Sequence, residues 1–304
     1  MAAIAAPARA ISGTAFATLL LIALMMGANH VAARIAFNNG VDVATAVVFR
    51  SVVTALVIVA ILAAQGVRVR FTARHKRMLP AIGLLIGVQS LCLYSAVARL
   101  PVALALLAFN TYPIWTAAWS FMVYRQRPEK AMLVAMPVIL VGLALALDVF
   151  GAASGLGASG QWARIGAGVG FALAAAATFG LALVLTQHEA GDVDGRVRTA
   201  TAMTMAGLVA LAAVALQGGF HLPTAPAGWG GLATLTFLYG TAFTIMFTVL
   251  PRLGVVGNSA IMNVEPVFAL VLAWLILGQA IATVQVGGAL LVVGAVVALG
   301  LRRR

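Results

Sequence analysis

The residues of this sequence that could do chemistry are few, and they stand inside long apolar runs. Two short motifs, "NTYP" at 110–113 and "NVEP" at 263–266, interrupt such runs at a similar depth. Ionisable and polar groups are expensive to bury in hydrocarbon, so they are candidates for binding a polar solute or carrying a proton.

Two charged residues lie well inside these runs, away from their ends. Glu265 is the only acid well inside one, and it suits contact with a substrate amine or a proton-sensitive step. The alternative is a protonated carboxyl that hydrogen-bonds to a neighbouring helix. Arg50 lies in the first turns of the second run, where it either faces a substrate carboxylate, pairs with a fixed structural partner, or snorkels to the membrane surface.

Polar and aromatic side chains accompany these charges. Asn29 and His30 stand near the end of the first run, and His30 is either a packing residue or a proton relay. Ser90 and Tyr94 are four residues apart and share one helix face. Tyr239 begins the corresponding face of the eighth run.

The two proline motifs predict breaks in their helices. Pro113 and Pro266 cannot donate a helical hydrogen bond, and each leaves a carbonyl free, which at this depth favours a wet cavity. Alternatively, the prolines kink the helices for packing, with Asn110 and Asn263 bonding to neighbouring helices.

Aromatic residues suggest the kind of solute. Tyr112 and Trp115, like Tyr94 and Tyr239, offer apolar area, and the tyrosines add a polar tip. They suit an uncharged side chain, although Trp115 could instead face lipid. Asn110, Asn263 and Glu265 are expected to bind the backbone ends of an amino acid.

Catalytic and metal-binding patterns are absent from the sequence. It contains no serine–histidine–acid set, HExxH motif, Walker sequence or cysteine–histidine cluster, and it has one cysteine, Cys92. We therefore predict no enzymatic activity, no metal and no cofactor.

The elements that position these residues follow from composition. The 304 residues are 63% hydrophobic and only 9% charged, which excludes a water-soluble globular domain and predicts a protein of the lipid bilayer. Apolar windows long enough to cross a bilayer predict ten helices, all of them α, at 14–36, 44–64, 78–98, 102–124, 131–149, 164–187, 197–217, 229–250, 256–277 and 282–301.

The net charge of +12 reflects orientation rather than nucleic-acid binding. Most basic residues fall in alternate connections and tails, including 68–77, 125–130 and 302–304. Because basic loops stay on the cytoplasmic side, both termini are predicted to be cytoplasmic.

The sequence also repeats itself. A shift of 153 residues brings Arg99 onto Arg252, "NTYP" onto "NVEP", and Gly27 onto Gly180. We predict a first unit at 1–150, a Gly/Ser-rich linker at 151–163 and a second unit at 164–304. Since five spans per unit is odd, the second unit enters from the opposite side, giving inverted repeats around a central cavity.

The repeat carries a family resemblance. The segments "MGANHVAARIAF", "FRSVVTAL" and "NVEPVFALVLAWLILGQ" resemble the EamA type of the drug/metabolite transporter superfamily over nearly the whole chain. The resemblance implies a ten-helix transporter of the bacterial inner membrane, similar to exporters of aromatic and neutral amino acids. It places Asn29, Arg50 and Glu265–Pro266 at family motifs. Many relatives have Gly-Glu where this chain has Arg125-Gln126 and Gly278-Gln279, which argues against proton carriage there.

Three functions remain open at this point. The leading one is alternating-access export of a small zwitterion that binds at the repeat interface, with or without proton coupling. A facilitator for other amphipathic solutes is close to it, and a non-transporting membrane sensor or assembly subunit is the alternative. The sequence decides neither the oligomeric state nor the direction of transport.

The predicted topology can be tested by cysteine labelling. In a background without Cys92, a membrane-impermeant thiol reagent added to intact cells should label a cysteine at Ser154 and spare cysteines placed at 68–77. The opposite pattern would contradict cytoplasmic termini.

Overall fold

The fold is entirely helical in the part of the chain that the structure describes. The computed structural model describes residues 13–67, 71–128, 130–249, 264–279 and 282–302, which contain no strand. The helices are α1 (Gly13–Asn38), α2 (Val43–Ala64), α3 (Ala73–Arg99), α4 (Val102–Phe109), α5 (Tyr112–Tyr124), α6 (Lys130–Ala146), α7 (Gly157–Glu189), α8 (Gly195–Leu216), α9 (Pro226–Thr248), α10 (Glu265–Leu277) and α11 (Thr283–Arg302).

Six helical segments of the described residues are long and apolar enough to cross a membrane. They are α1, α2, α3, the pair α4–α5, α7 and α8. Large apolar side chains such as Leu56 and Phe237 are exposed on the outside of the helix bundle. A surface of this kind is unfavourable in water and suits acyl chains, so the chain is a multi-pass membrane protein.

Helices of the first half (α1–α6) pack mainly against helices of the second half (α7–α11). α1 lies along α9, α3 lies along α7 and α8, α2 lies against α8, and α6 lies against α11. Each half therefore buries its helices against the other, and the core lies between them.

One close helix crossing occurs twice. A Cβ atom on Gly27 of α1 would lie 3.0 Å from the backbone nitrogen of Ala269 in α10. A Cβ atom on Gly180 of α7 would lie 2.8 Å from the backbone nitrogen of Thr116 in α5. The shift of 153 residues that relates Gly27 to Gly180 also relates Thr116 to Ala269. The internal repeat of the sequence is therefore a repeat of packing as well.

The break in the fourth span lies just before its proline. α4 ends at Phe109, Asn110 and Thr111 form a turn, and Pro113 then stands in the first turn of α5. Pro266 likewise occupies the first turn of α10. Helix breaks were predicted at both prolines, and α4 and α5 are separate helices on either side of the turn before Pro113. Both prolines stand where a backbone N–H has no intrahelical acceptor, so proline costs no hydrogen bond there.

The connection between the halves is more ordered than a flexible linker. α7 begins at Gly157, before the boundary predicted at 164. The Asp148 carboxylate accepts hydrogen bonds from the backbone nitrogens of Ala153 and Ser154, at 3.0 and 2.8 Å. These amides hold the pKa of Asp148 below its usual range. Gln161 also donates to the carbonyl of Leu147, which fixes the first turns of α7.

A side chain of the second half caps a helix of the first half. The Oε1 atom of Gln279 accepts a hydrogen bond from the backbone nitrogen of Val102, at the start of α4. That nitrogen has no intrahelical acceptor, so Gln279 satisfies it. Gln279 thus makes a structural contact between the two halves of the chain.

The two glycine crossings predict a matched stability effect. Gly27→Ala and Gly180→Ala should each lower the free energy of unfolding by about 1–3 kcal/mol, because the added methyl meets backbone rather than a movable side chain. Gly170→Ala is the control, since nothing lies within 4 Å of the place that its added methyl would occupy. Thermal unfolding in detergent measures all three variants. Equal melting temperatures for Gly27→Ala and Gly170→Ala would contradict the close crossing.

Candidate functional site

A buried arginine lies between two tyrosine rings at the centre of the molecule. The guanidinium carbon of Arg50, on α2, is 4.1 Å from the ring centroids of both Tyr94 on α3 and Tyr239 on α9. Arg50 is only 3% exposed. It therefore does not snorkel to the surface. Each ring face stabilises the cation by about 0.5–2 kcal/mol.

Arg50 has no acidic partner within the described residues. The ion pairs found there involve other basic groups, and none brings a carboxylate within 4.0 Å of Arg50. Leaving a buried charge without a counter-charge is unfavourable. The two aromatic faces offset part of this cost, and an anionic ligand group would offset more.

Residues of α1 hold Tyr94 in place. The Tyr94 hydroxyl donates a hydrogen bond of 2.9 Å to Oδ1 of Asn29. The ring of His30 meets the Tyr94 ring edge to face, with centroids 5.6 Å apart. Asn29, His30 and Tyr94 are all buried. The orientation of one wall of the arginine site thus depends on α1.

His30 also joins α1 to α10. Its Nε2 atom lies 3.3 Å from Oε1 of Glu265, whose side chain is 23% exposed. Glu265 is the first residue of α10, where the helix dipole favours a negative charge. The tight crossing at Gly27, one turn before His30, brings the two side chains together.

The two opposite charges belong to one site. Arg50 contacts the ring of Tyr94, Tyr94 contacts the ring of His30, and His30 contacts Glu265. The site thus has a cationic end at Arg50 and an anionic end at Glu265, linked by the rings of Tyr94 and His30. Ser90, one turn from Tyr94 on α3, is buried and donates to Oε1 of Gln89 at 3.4 Å.

Several buried polar atoms around this site have no hydrogen-bond partner. They belong to two short stretches of α1 and α2, and they are Asn29 Nδ2, His30 Nδ1, Arg50 Nε, Ser51 Oγ and Thr54 Oγ1. Buried polar atoms are nearly always paired in folded proteins, so such a group points to a ligand with complementary polar atoms.

Ser51 and Thr54 were not predicted as site residues. Thr54 lies four residues after Arg50, on the same helix face, and a Cβ atom on Gly240 of α9 would lie 3.3 Å from its hydroxyl. The spacing from Arg50 was the available signal. Single hydroxyls are common in membrane helices and did not stand out.

Other predicted residues lie elsewhere. Tyr112 packs against Phe109 and Phe179, and the Cβ atom of Trp115 lies against Gly180 of α7. Asn110, with the turn at the end of α4, is also buried. Asn263 lies outside the described residues. Within the described part of the chain, no cluster of three or more His, Cys, Asp or Glu side chains could hold a metal ion.

The two tyrosines predict different responses to loss of a hydroxyl. Tyr94→Phe should lower the free energy of unfolding by about 1–3 kcal/mol, because it leaves the buried Oδ1 atom of Asn29 unpaired. Tyr239→Phe keeps the ring that contacts Arg50 and breaks no hydrogen bond identified within the described residues, so its effect should be smaller. Thermal unfolding of purified protein compares them, and a larger loss for Tyr239→Phe would contradict the assignment.

Comparison with known proteins agrees with the fold and its repeat. A solved crystal structure is similar to this chain with 20% sequence identity and a TM-score of 0.62, covering 96% of this chain and 100% of its own. At that identity, the likeness concerns the fold alone. No curated protein matches the sequence. The model of the EamA-like transporter family matches twice, at residues 13–147 and 166–301. The chain therefore belongs to the EamA-like transporter family.

Proposed function

We propose that this protein exports neutral or aromatic amino acids across the bacterial inner membrane. Export proceeds by alternating access between two inverted repeats of five spans each. Both termini are cytoplasmic. The observation that carries the proposal is the buried Arg50, which has no carboxylate partner among the described residues and is linked to Glu265 through Tyr94 and His30.

Arg50 suits the carboxylate of the substrate. A guanidinium offers donors in a planar fork that matches a carboxylate. Its Nε atom is buried without a partner. Stacking between Tyr94 and Tyr239 fixes the plane of the fork before the ligand arrives, which lowers the entropy cost of binding.

Glu265 suits the ammonium group of the same substrate. It contacts His30, which meets the ring of Tyr94, and it is more exposed than Arg50. A zwitterion would neutralise both ends of the site. A dicarboxylate or sugar phosphate would bring extra negative charge toward Glu265, which disfavours these classes.

The side chain of the substrate would meet aromatic and small residues. Tyr239 stacks near Phe243, with ring centroids 4.5 Å apart, and Gly240 lies beside Thr54. Such surroundings favour an uncharged side chain such as that of phenylalanine or methionine. Tyr112, Trp115, Asn110 and the prolines Pro113 and Pro266 are proposed to line or shape the path at other stages of transport.

The site is closed to solvent, as alternating access requires of a transporter at one stage of its cycle. Arg50, Tyr94 and Tyr239 are buried, so the halves must separate on one side to admit a solute. The tight crossings at Gly27 and Gly180 both join a helix of one half to a helix of the other. They supply contacts about which the halves can reorient.

Transport in proteoliposomes tests the role of Arg50. Arg50→Lys and Arg50→Gln should lower phenylalanine flux at least about tenfold, because neither side chain offers the planar fork of the guanidinium. A tenfold loss of flux corresponds to about 1.4 kcal/mol of activation free energy. Arg99→Lys is the control, because Arg99 stacks on a single ring, that of Phe171, away from the site. Size-exclusion chromatography verifies that each variant is assembled.

Competition by substrate analogues tests the assignment of the two ends. Against the wild type, 2-phenylethylamine and 3-phenylpropionate should inhibit less than phenylalanine, since each lacks one charged group. Arg50→Gln should lose the preference for phenylalanine over the amine. Inhibition of the wild type by dicarboxylates or phosphorylated sugars, with none by neutral amino acids, would overturn the substrate class.

A further inference from the structure

The two repeated helix crossings differ in one chemical respect. At the α1–α10 crossing, His30 and Glu265 form a polar contact. The shift of 153 residues places Leu183 and Tyr112 at the corresponding positions of the α7–α5 crossing, and Tyr112 packs there against Phe179. A titratable pair therefore occupies only one of two otherwise similar contacts between the halves.

We propose that His30 is an internal ligand of Glu265 that the ammonium group of the substrate displaces, with release of one proton. This inference rests on the proposed function. In the empty site, the protonated imidazole binds the Glu265 carboxylate. When the amino acid binds, its ammonium takes the carboxylate, its own carboxylate binds Arg50, and His30 becomes neutral.

Charge balance is the reason for the proton release. With substrate bound, Arg50 and Glu265 each have a partner of opposite charge supplied by the zwitterion. A protonated His30 would then remain without an anion, although it is only 2% exposed. Loss of the proton removes this cost.

The neighbouring groups leave His30 and Glu265 as the responsive pair. Tyr94 on α3 contacts His30, and beyond it the Arg50 guanidinium of α2 lies between the rings of Tyr94 and Tyr239 of α9. Arginine stays charged and tyrosine stays neutral between pH 5 and 8. α4, which also packs against α1 and α10, is apolar from Val102 to Phe109.

The exchange makes export an antiport. Substrate binding from the cytoplasm releases a proton to the cytoplasm, and substrate departure outside lets His30 take up a proton there and bind Glu265 again. One proton enters for each amino acid that leaves. Because the zwitterion carries no net charge, each cycle moves one positive charge inward.

The primary test is proton release by wild-type protein. Purified protein in weakly buffered solution with a pH indicator is mixed with saturating phenylalanine, while calorimetry counts the bound ligand. We expect release approaching one proton per bound ligand at the pH, between 5.5 and 8, at which release is greatest. Binding without release at every pH from 5.5 to 8 would overturn this inference alone. Failure of any neutral amino acid to bind would overturn the proposed substrate class, and this inference with it.

Variants locate the proton. His30→Gln keeps a hydrogen-bond donor for Glu265 and should bind phenylalanine without releasing a proton. His188→Gln is the control, because His188 stacks on Tyr124 at the end of α7, and it should release as the wild type does. Unchanged release by His30→Gln would overturn the assignment.

A gradient experiment measures the coupling independently of binding. In vesicles with the membrane potential clamped at zero, a pH difference of one unit should sustain about a tenfold phenylalanine gradient for one-to-one exchange. His30→Gln should sustain no gradient while still equilibrating the substrate. A wild-type protein that equilibrates phenylalanine but sustains no gradient would be a facilitator, contrary to this inference.

Discussion

The placement of the Arg50 guanidinium between two tyrosine rings is the interaction on which the rest of the site depends. Tyr94 comes from the first half of the chain and Tyr239 from the second. The Arg50 guanidinium can contact both rings only because α2, α3 and α9 come together at the same depth in the membrane. α1 must then supply Asn29 to orient Tyr94, and the crossing of α1 with α10 brings Glu265 to His30.

Because Arg50 is buried within a membrane protein, its contacts matter more for stability than they would in water. Water would solvate an exposed guanidinium that lost its partners. A buried guanidinium is not solvated, so the loss of its partners costs much more free energy. The aromatic faces stabilise the charge without neutralising it, so the site keeps its ability to attract an anion. A carboxylate from the protein in the same place would stabilise the fold more and leave little affinity for a ligand.

The sequence was sufficient for much of the fold and for the choice of six polar residues that lie together in the structure. Apolar windows located the helices to within a few residues for most described spans, because bilayer thickness fixes the required length. Asn29, His30, Arg50, Tyr94, Tyr239 and Glu265 were selected because polar groups are rare in such windows, and the structure brings these six together. Depth along a helix, however, does not give the partners of a side chain. For that reason snorkelling of Arg50 remained an alternative. Tyr112 and Trp115 are aromatic like Tyr94 and were predicted as site residues together with it, although in the structure they pack against α7.

The positions of the helix ends depended on details that apolar periodicity does not contain. The turn at Asn110 and Thr111 precedes Pro113, and the side chain of Asp148 orders the start of the connection to α7. Both depend on individual hydrogen bonds rather than on hydrophobicity. The two crossings share their geometry but differ in chemistry, since one holds the His30–Glu265 contact and the other the packing of Tyr112 against Phe179.

The paired glycine crossings have a mechanical consequence. Each one joins a helix of the first half to a helix of the second, with backbone against backbone. Two contact points define a line, and rotation about that line is the movement of one half against the other that preserves both contacts. Sliding of one half past the other would have to break a crossing first.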